Sequence, residues 1–247
     1  MLVGLRLPSS VSGSLGPSVD VVDLGSMGYQ RALEIQRSRQ AELIEARGTP
    51  GGATGTIYLV EHPPIITVTS RPGAAGHVLA DAARLESAGI EVHETDRGGD
   101  VTYHGPGQLV VYPVLDLERL GRDGKPLGLH GYMRLLEQAV IDTIGLWGIV
   151  GTRDESATGV WVDVGRGGGQ AKIAAMGVRV RKWVTMHGLA LNVDVDLRHF
   201  GFIVPCGLVG RPVTSMRSLL GDSCPGLDEV RAEIPGVLSG LLHDSID

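Results

Sequence analysis

The sequence predicts an α+β fold in which a mixed or antiparallel sheet is flanked by helices. Strand-like segments follow one another closely, most of their connections have hairpin character, and helical segments are interspersed between them. The chain has 247 residues, 43% of them apolar and 20% charged, so it can bury a sizeable core. Glycine, with 37 residues, is about twice as frequent as in an average protein and indicates many turns.

The first half of the chain opens with residues 1–18, which contain no continuous apolar run and are expected to form a flexible N-terminal leader. Three segments after it have the apolar, β-branched character of strands: Val19–Leu24, Thr56–Glu61 and Ile65–Thr69. A helix is predicted from an N-cap at Ser26 to about Arg47, where Gly48 ends it. A second, short helix is predicted over Asp81–Ser87.

The second half is richer in strands, which are predicted over Gln108–Leu117, Gly159–Val164, Ala171–Arg181 and Val184–Val195. Pro113 indicates an edge or a bend in the first of these, because proline cannot donate to a central ladder. Gly165–Gly169 and Lys182-Trp183 are turn-like links between the others. The clearest helix has one apolar stripe with three- and four-residue spacing, formed by Tyr132, Leu135, Leu136, Ala139, Val140, Thr143, Ile144 and Trp147. A final helix opens at Asp228 and is expected to bend near Pro235.

Composition excludes several classes of protein. No linker divides the chain, so residues 19–247 are expected to form a single domain. The net charge of −6 argues against a general nucleic-acid binder, and the uncharged runs are too short or too polar to span a bilayer. The N-terminus lacks a secretory signal, which favours the reducing cytoplasm and argues against a disulfide between Cys206 and Cys224.

A glycine-rich segment over residues 97–108, RGGDVTYHGPGQ, carries more polar chemistry than a structural loop needs. Five of its twelve residues are glycine or proline, and an arginine, a tyrosine, a histidine and a glutamine stand among them. One interpretation is a bend that leads into the following strand. The other is a wall of backbone that lies flat against a ligand, with the polar side chains as specific contacts.

Lys172 lies in a strand-like segment where alternation places it on the same face as Ala174, Met176 and Val178. The spacing leaves three interpretations open. The lysine stands at a sheet edge, extends its ammonium to water along an apolar surface, or is held in an apolar site for a chemical purpose.

His187 also alternates with apolar residues, which fits either a hydrogen-bonded core histidine or a catalytic one. With His62 and His104 it shows no metal-ligand spacing, so no metal site is predicted.

Cys206 ends an apolar run and is constrained on both sides, by Pro205 and Gly207. Proline restricts the preceding backbone, and glycine permits a turn and a close approach to the sulfur. A thiol in such a place is either a small buried hydrophobe or an exposed nucleophile. Cys224, in the turn-like DSCPG, is expected to be incidental.

Five stretches together resemble the octanoyltransferase (lipoate–protein ligase B) family. They are RGGDVTYHGPGQLVVYP at 97–113, SATGVW at 156–161, AKIAAMGVRV at 171–180, TMHGLALNV at 185–193 and IVPCG at 203–207. The resemblance extends from about residue 20 to about residue 220. It implies a fold like the catalytic domains of biotin and lipoate ligases, with residues 19–247 as the catalytic domain.

The resemblance also implies an activity. The octanoyl group would pass from octanoyl-acyl carrier protein to a lysine of a lipoyl domain, through a cysteine thioester, as the first step of endogenous protein lipoylation. The acceptors would be lipoyl domains of 2-oxoacid dehydrogenase E2 subunits and the glycine cleavage H protein. No cofactor, nucleic acid or membrane is implied, and the location would be cytoplasmic. The alternatives are an ATP-dependent lipoate- or biotin-type protein ligase, which needs no nucleophilic cysteine, and a non-catalytic acyl-chain binder.

Residue roles follow from the same resemblance. Cys206 matches the family's acyl-accepting cysteine, and Lys172 matches the lysine that lowers the pKa of that cysteine. The matched substrate contacts form three groups in the chain: Arg97, Gly98, Gly99, Asp100, Val101, Thr102, Tyr103 and His104; Ala175, Met176 and Gly177; and Gly188, Leu189 and Ala190.

Overall fold

Ten strands and five α-helices make up the regular structure in a computed structural model that describes residues 19–47, 52–121, 125–165, 169–207 and 210–244. The strands are β1 Val19–Ser26, β2 Gly55–Glu61, β3 Ile65–Thr69, β4 Glu91–Thr95, β5 Thr102–His104, β6 Gln108–Leu115, β7 Gly151–Thr152, β8 Val160–Asp163, β9 Gln170–Arg181 and β10 Val184–Asn192. The helices are α1 Tyr29–Glu45, α2 Ala82–Ser87, α3 Leu129–Gly145, α4 Met216–Leu220 and α5 Leu227–Asp244. The predicted leader, Gly48 and most of the Gly165–Gly169 turn lie outside the described residues.

The strands form two sheets. The larger has the order β1-β2-β6-β10-β9-β8-β7, in which only β1 and β2 run parallel. The smaller has the order β4-β3-β5, with β3 parallel to β4 and antiparallel to β5. The α+β prediction with a mixed sheet is therefore confirmed.

Helices cover both faces of the larger sheet because its central strands are apolar on both sides. Ile57 and Leu59 of β2 pack in one core with the buried stripe of α3 and with α5. Tyr58 and Val60 of the same strand point the other way and pack with Ala32 of α1. The predicted α3 stripe is buried in the structure, apart from Trp147, which is half-buried just beyond the helix. Among the described helices, none combines the length and the hydropathy that crossing a bilayer requires.

The predicted N-cap of α1 at Ser26 is wrong. Ser26 still belongs to β1 and pairs with Glu61, and the N–H of Met27 donates to the Glu61 carbonyl. Pairing with β2 thus holds these residues extended, and α1 begins only at Tyr29, with Gly28 as its N-cap. The parallel β1–β2 pair requires a crossover connection, which α1 supplies.

Pro113 lies in a central strand, so the predicted edge position is also wrong. On one side it keeps register with Ile57 of β2. On the other side the β6–β10 ladder stops at Val111, and the Thr185 hydroxyl donates to the Pro113 carbonyl, 2.7 Å away. The same hydroxyl oxygen accepts from the Leu115 N–H at 2.9 Å. A side chain therefore replaces the ladder where proline has no N–H to offer.

The predicted tight link between β9 and β10 is present. Lys182 and Trp183 have φ values of 47° and 61°, the left-handed pair that suits a two-residue hairpin. β10 ends at Asn192, three residues before the predicted Val195. The structure also contains β4, β7 and α4, for which the sequence carries no clear pattern.

Candidate active site

Two adjoining cavities lie where the smaller sheet meets β9 and β10 of the larger one, and they share Gly99, Asp100, Met176 and Gly177. The inner pocket is lined by Tyr29, Arg97, Thr102, His104, Val110, Tyr112, Ala175, His187, Gly188, Leu189 and Ala190 together with those four. The outer cleft has a volume of about 630 Å³. Besides the shared residues, it is lined by Arg71, Pro72, His77, Gly98, Leu129, Met133, Ser156, Ala157, Thr158, Lys172, Val178 and Gly207.

Small residues in facing pairs leave room for the inner pocket. Gly177 of β9 lies opposite Gly188 of β10, and Ala175 lies opposite Ala190. A Cβ added at Gly177 would come within 2.6 Å of the Gly98 carbonyl oxygen. The glycine therefore lets the 97–108 segment pass directly over β9.

Aromatic and imidazole rings form the polar side of the inner pocket. Tyr29 and His104 are stacked with ring centroids 6.2 Å apart, and His62 lies 5.8 Å from both His104 and Tyr112. Burial lowers the pKa of His104 to about 3, so its imidazole is neutral at neutral pH. The sequence did not single out Tyr29 and Tyr112, because each belongs to an apolar pattern typical of an ordinary core.

His104 has a fixed orientation. Its Nδ1 is 2.7 Å from the Gln108 side-chain carbonyl, so it donates to that oxygen. The Gln108 amide then donates to Asn192 at 2.9 Å, and the Asn192 amide donates to the Thr214 carbonyl at 2.9 Å. This buried chain of amides ties the 97–108 segment to β10.

His187 is buried and adopts a left-handed backbone conformation, with φ at 60°. Its backbone N–H donates to the side-chain oxygen of Gln36, and its ring Nε2 donates to Asp96 at 2.9 Å. Burial, followed by the charges of Arg97 and Arg179, lowers the pKa of His187 to about 3. Its Nδ1 has no hydrogen-bond partner among the described residues. The ring is thus a neutral imidazole whose Nδ1 is available as an acceptor.

Lys172 is held in a buried site, which argues against the sheet-edge interpretation and against an ammonium extended to water. The residue is 5% exposed, and its Nζ donates to the Thr158 carbonyl at 2.8 Å. The same Nζ lies 4.8 Å from the centroid of the Trp161 ring. Its main chain is paired with the 212–214 segment through Pro212 and Thr214, so the strand around it is covered rather than at a free edge.

Cys206 is the middle residue of a 3-10 turn, Pro205–Gly207, and its side chain lies outside the described part of the structure. The residues on both sides of it border cavities that Lys172 also borders. Gly207 lines the outer cleft, and Pro205 lines a small adjoining cavity. The second cysteine, Cys224, is a free thiol.

A histidine–aspartate pair beside this turn was not found from the sequence. His77 Nδ1 lies 2.7 Å from Asp100 Oδ1, and the His77 carbonyl accepts the Val204 N–H at 2.8 Å. A Cβ built on Gly207 would lie 3.1 Å from His77 Cε1. Of the two residues, only Asp100 belongs to a motif of the sequence, the 97–108 segment. His77 lies outside every motif.

Most of the fourteen sequence-predicted substrate contacts lie together. Eleven line the inner pocket, and Gly98 lines the outer cleft. Val101 and Tyr103 instead pack in the core under the smaller sheet, because side chains alternate along this segment. The Tyr103 hydroxyl pairs with His199 Nδ1 at 2.7 Å.

The fold is that of the catalytic domains of lipoate and biotin protein ligases. The bipartite lipoate protein ligase of Thermoplasma acidophilum superposes with a TM-score of 0.67 at 19% identity, covering 95% of this chain and 86% of that one. A lipoate-protein ligase A bound with ATP gives 0.65 at 18% identity, covering 93% and 86%. The Aquifex aeolicus biotin protein ligase in complex with biotin and ATP gives 0.51 at 13% identity, covering 91% and 70%.

The chain belongs to the lipoyl protein ligase A/B catalytic domain family, which matches residues 29–235. The octanoyltransferase of Geobacter metallireducens is 43% identical over 224 residues, covering 91% of this chain and 93% of that protein. The octanoyltransferase of Solibacter usitatus is 50% identical over 196 residues, covering 79% and 81%.

Proposed function

We propose that this chain is an octanoyltransferase, which moves an octanoyl group from octanoyl-acyl carrier protein to a lysine of a lipoyl domain through a thioester on Cys206. The observation that carries the proposal is the position of Lys172. Its buried ammonium borders the same cleft as Gly207, directly after Cys206. The similarity to octanoyltransferases over most of the chain supports the same reaction.

The first half of the reaction would charge the enzyme. A free thiol with a pKa near 8.5 is only about 3% thiolate at pH 7. A nearby ammonium that lowered the thiol pKa by about 1.5 units would make about half of it thiolate. As a neutral amine, Lys172 would take the proton of the Cys206 thiol, and the ammonium formed in this way would stabilise the thiolate, which attacks the carbonyl of the donor thioester. As the bond to the pantetheine sulfur breaks, the Lys172 ammonium would return the proton to that sulfur.

The second half of the reaction would transfer the octanoyl group from Cys206 to the acceptor lysine. The amine of the acceptor lysine attacks the Cys206 thioester, an amide forms, and the Cys206 thiolate leaves. Lys172 accepts the proton that the amine loses. Exchange between two thioesters is close to isoenergetic and formation of the amide is downhill, so the scheme uses neither ATP nor a cofactor.

The inner pocket is the proposed site of the acyl chain. An octanoyl group offers about six or seven methylenes for burial, which at about 0.8 kcal/mol each would contribute about 5 kcal/mol to binding. The facing pairs of glycine and alanine open the pocket beside β9 and β10 in which such a chain would lie. As acceptors we propose lipoyl domains of 2-oxoacid dehydrogenase E2 subunits and the glycine cleavage H protein, in the cytoplasm.

Intact-protein mass spectrometry tests the proposal directly. We expect octanoyl-acyl carrier protein to add one octanoyl group to the enzyme, and a lipoyl domain to remove it and gain the same mass. An ATP-dependent ligase would instead octanoylate the lipoyl domain from free octanoate and ATP. Activity with octanoate and ATP, together with no adduct from the acyl carrier, would overturn the proposal. An adduct that is released as free octanoate in the presence of the lipoyl domain would indicate a thioesterase.

Replacing Gly159 with alanine is expected to slow acylation about ten- to a hundredfold. Gly159 has φ at +132°, and an added Cβ would lie 2.6 Å from the Ala174 carbonyl oxygen and 3.2 Å from Lys172 Cε. The backbone must move, at a cost of about 1–3 kcal/mol, and Lys172 moves with it. The single-turnover rate of adduct formation and the free energy of unfolding are the two measurements.

Gly165→Ala is the matched control for this variant. Gly165 also has a positive φ, +68°, but a Cβ there meets nothing within 4 Å. It should lose some stability and keep the wild-type acylation rate. If Gly159→Ala and Gly165→Ala acylate equally fast, Gly159 has no special relation to the lysine.

A further inference from the structure

One peptide unit connects Lys172 to a buried carboxylate. The carbonyl of Thr158 accepts the Lys172 ammonium at 2.8 Å. The N–H on the other side of the same peptide plane belongs to Gly159, and it donates to Glu137 Oε1 at 3.2 Å. The order of groups is therefore carboxylate, peptide N–H, peptide carbonyl and ammonium.

Two arginines hold the Glu137 carboxylate in place through its second oxygen. Glu137 lies on α3 with 2% of its surface exposed, in a stripe that is otherwise apolar or weakly polar. Its Oε2 accepts from Arg134 at 2.7 Å and lies 3.3 Å from Arg153 Nε. The two guanidiniums balance the charge of a buried carboxylate, which would otherwise be costly, and leave Oε1 directed at Gly159.

We propose that Glu137 is a positioning residue for octanoyl transfer, which orients and polarises the Thr158–Gly159 peptide so that the Thr158 carbonyl holds the Lys172 ammonium at the outer cleft. The inference rests on the proposed function, because it assigns a task to Glu137 only through Lys172.

The physical basis is hydrogen-bond cooperativity. A peptide N–H bonded to a carboxylate makes the carbonyl oxygen of the same peptide more negative, so it binds a cation more strongly. The effect is larger in a buried site, where the effective dielectric constant is low. A well-held ammonium stabilises the Cys206 thiolate, so loss of the Glu137 charge should make that thiol ionise at a higher pH.

Glu137→Gln is the variant that tests this role, because glutamine keeps the shape and one acceptor oxygen but removes the charge. In a Cys224→Ser background, we expect the pH midpoint of Cys206 alkylation by iodoacetamide to rise by about half a unit, and the acylation rate at neutral pH to fall about three- to tenfold. The donor concentration that gives half the maximal rate should not change, since the variant leaves the acyl pocket untouched.

Asp142→Asn is the matched control. Asp142 is an exposed carboxylate on the same helix, and it accepts a hydrogen bond from the neutral Gln138 side chain. It should leave the alkylation midpoint and the rate at the wild-type values. A purely structural role for Glu137 would lower the unfolding temperature without moving the midpoint of alkylation, and that result would overturn the inference.

A double variant separates this inference from the proposed function. Glu137→Gln should add no further shift in a Lys172→Ala background, and an undiminished shift there would overturn the role of Glu137. If Cys206→Ser and Lys172→Ala both acylate at the wild-type rate, the proposed function itself is overturned. If Glu137→Gln does not fold, Glu137→Asp retains the charge but withdraws it by one methylene from Gly159. The alkylation midpoint should then rise in the same direction, and an unchanged midpoint would again contradict the inference.

Discussion

Cys206→Ser is expected to lower the rate of octanoyl-adduct formation by at least about a thousandfold. A serine hydroxyl is almost fully protonated at neutral pH and is a much weaker nucleophile than a thiolate, so the acyl group has no efficient acceptor. Intact mass after mixing with octanoyl-acyl carrier protein measures the adduct. Octanoylation of a lipoyl domain by the same sample measures the complete transfer.

Cys224→Ser is the matched control, since it removes the other thiol of the chain. Cys224 is partly buried beside the larger core, and burial raises the pKa of its thiol, which leaves it mostly protonated at neutral pH. This variant should form the adduct at the wild-type rate. If the adduct survives Cys206→Ser and disappears in Cys224→Ser, the nucleophile has been assigned to the wrong cysteine.

Lys172→Ala is expected to slow acylation about a hundred- to ten-thousandfold, the range of positioned general acids and bases. In the proposed arrangement the octanoyl chain lies in the inner pocket, whereas Lys172 borders the outer cleft, so binding of the donor should weaken far less than the chemical step. Single-turnover acylation at several donor concentrations separates the two effects. The plateau rate should fall, and the half-saturating concentration should change little.

Lys125→Ala provides the comparison for a lysine without a role, because Lys125 is exposed. It should acylate at the wild-type rate. Equal losses of plateau rate and donor affinity in Lys172→Ala would mean that the lysine only shapes the cleft. In that case His187 and His104 are the next bases to test, although burial lowers the pKa of each to about 3 and opposes that role.

The helices and strands that the sequence predicted well are those whose apolar residues recur with a regular spacing. The predictions of the α3 stripe and of the strand Ile65–Thr69 were correct, because the local spacing of apolar residues indicates burial of one helical face or of a whole strand. β4 was missed because Glu91–Thr95 is mostly exposed and polar, and only its pairing with β3 makes it a strand. The N-cap at Ser26 and the edge position of Pro113 were wrong for the same reason, since a neighbouring strand or the Thr185 hydroxyl overrides their local preference.

The residues of the candidate site also divide into those that the sequence identified and those that it could not. The 97–108 segment was identified because polar side chains among glycines are unusual in a plain loop, and six of its twelve residues line the two cavities. Glu137 could not be identified, because a charged residue within an apolar helical stripe reveals its partners only when the helix is packed. The contacts of Glu137 with Gly159 and of Thr158 with Lys172 join segments that are 22 and 14 residues apart.

The amino-acid sequence was enough to identify the chemical groups: a thiol between proline and glycine, one lysine on an apolar strand face, and five stretches that together resemble an acyltransferase family. It also determined the α+β class, because hydrophobic periodicity is a local property. The folded chain was needed to show that Lys172 is buried against the Thr158 carbonyl, that facing glycines and alanines open a pocket, and that His187 is a neutral imidazole. Each of these depends on groups brought together from distant parts of the chain, where burial and hydrogen bonding set the charge state and the position of a side chain.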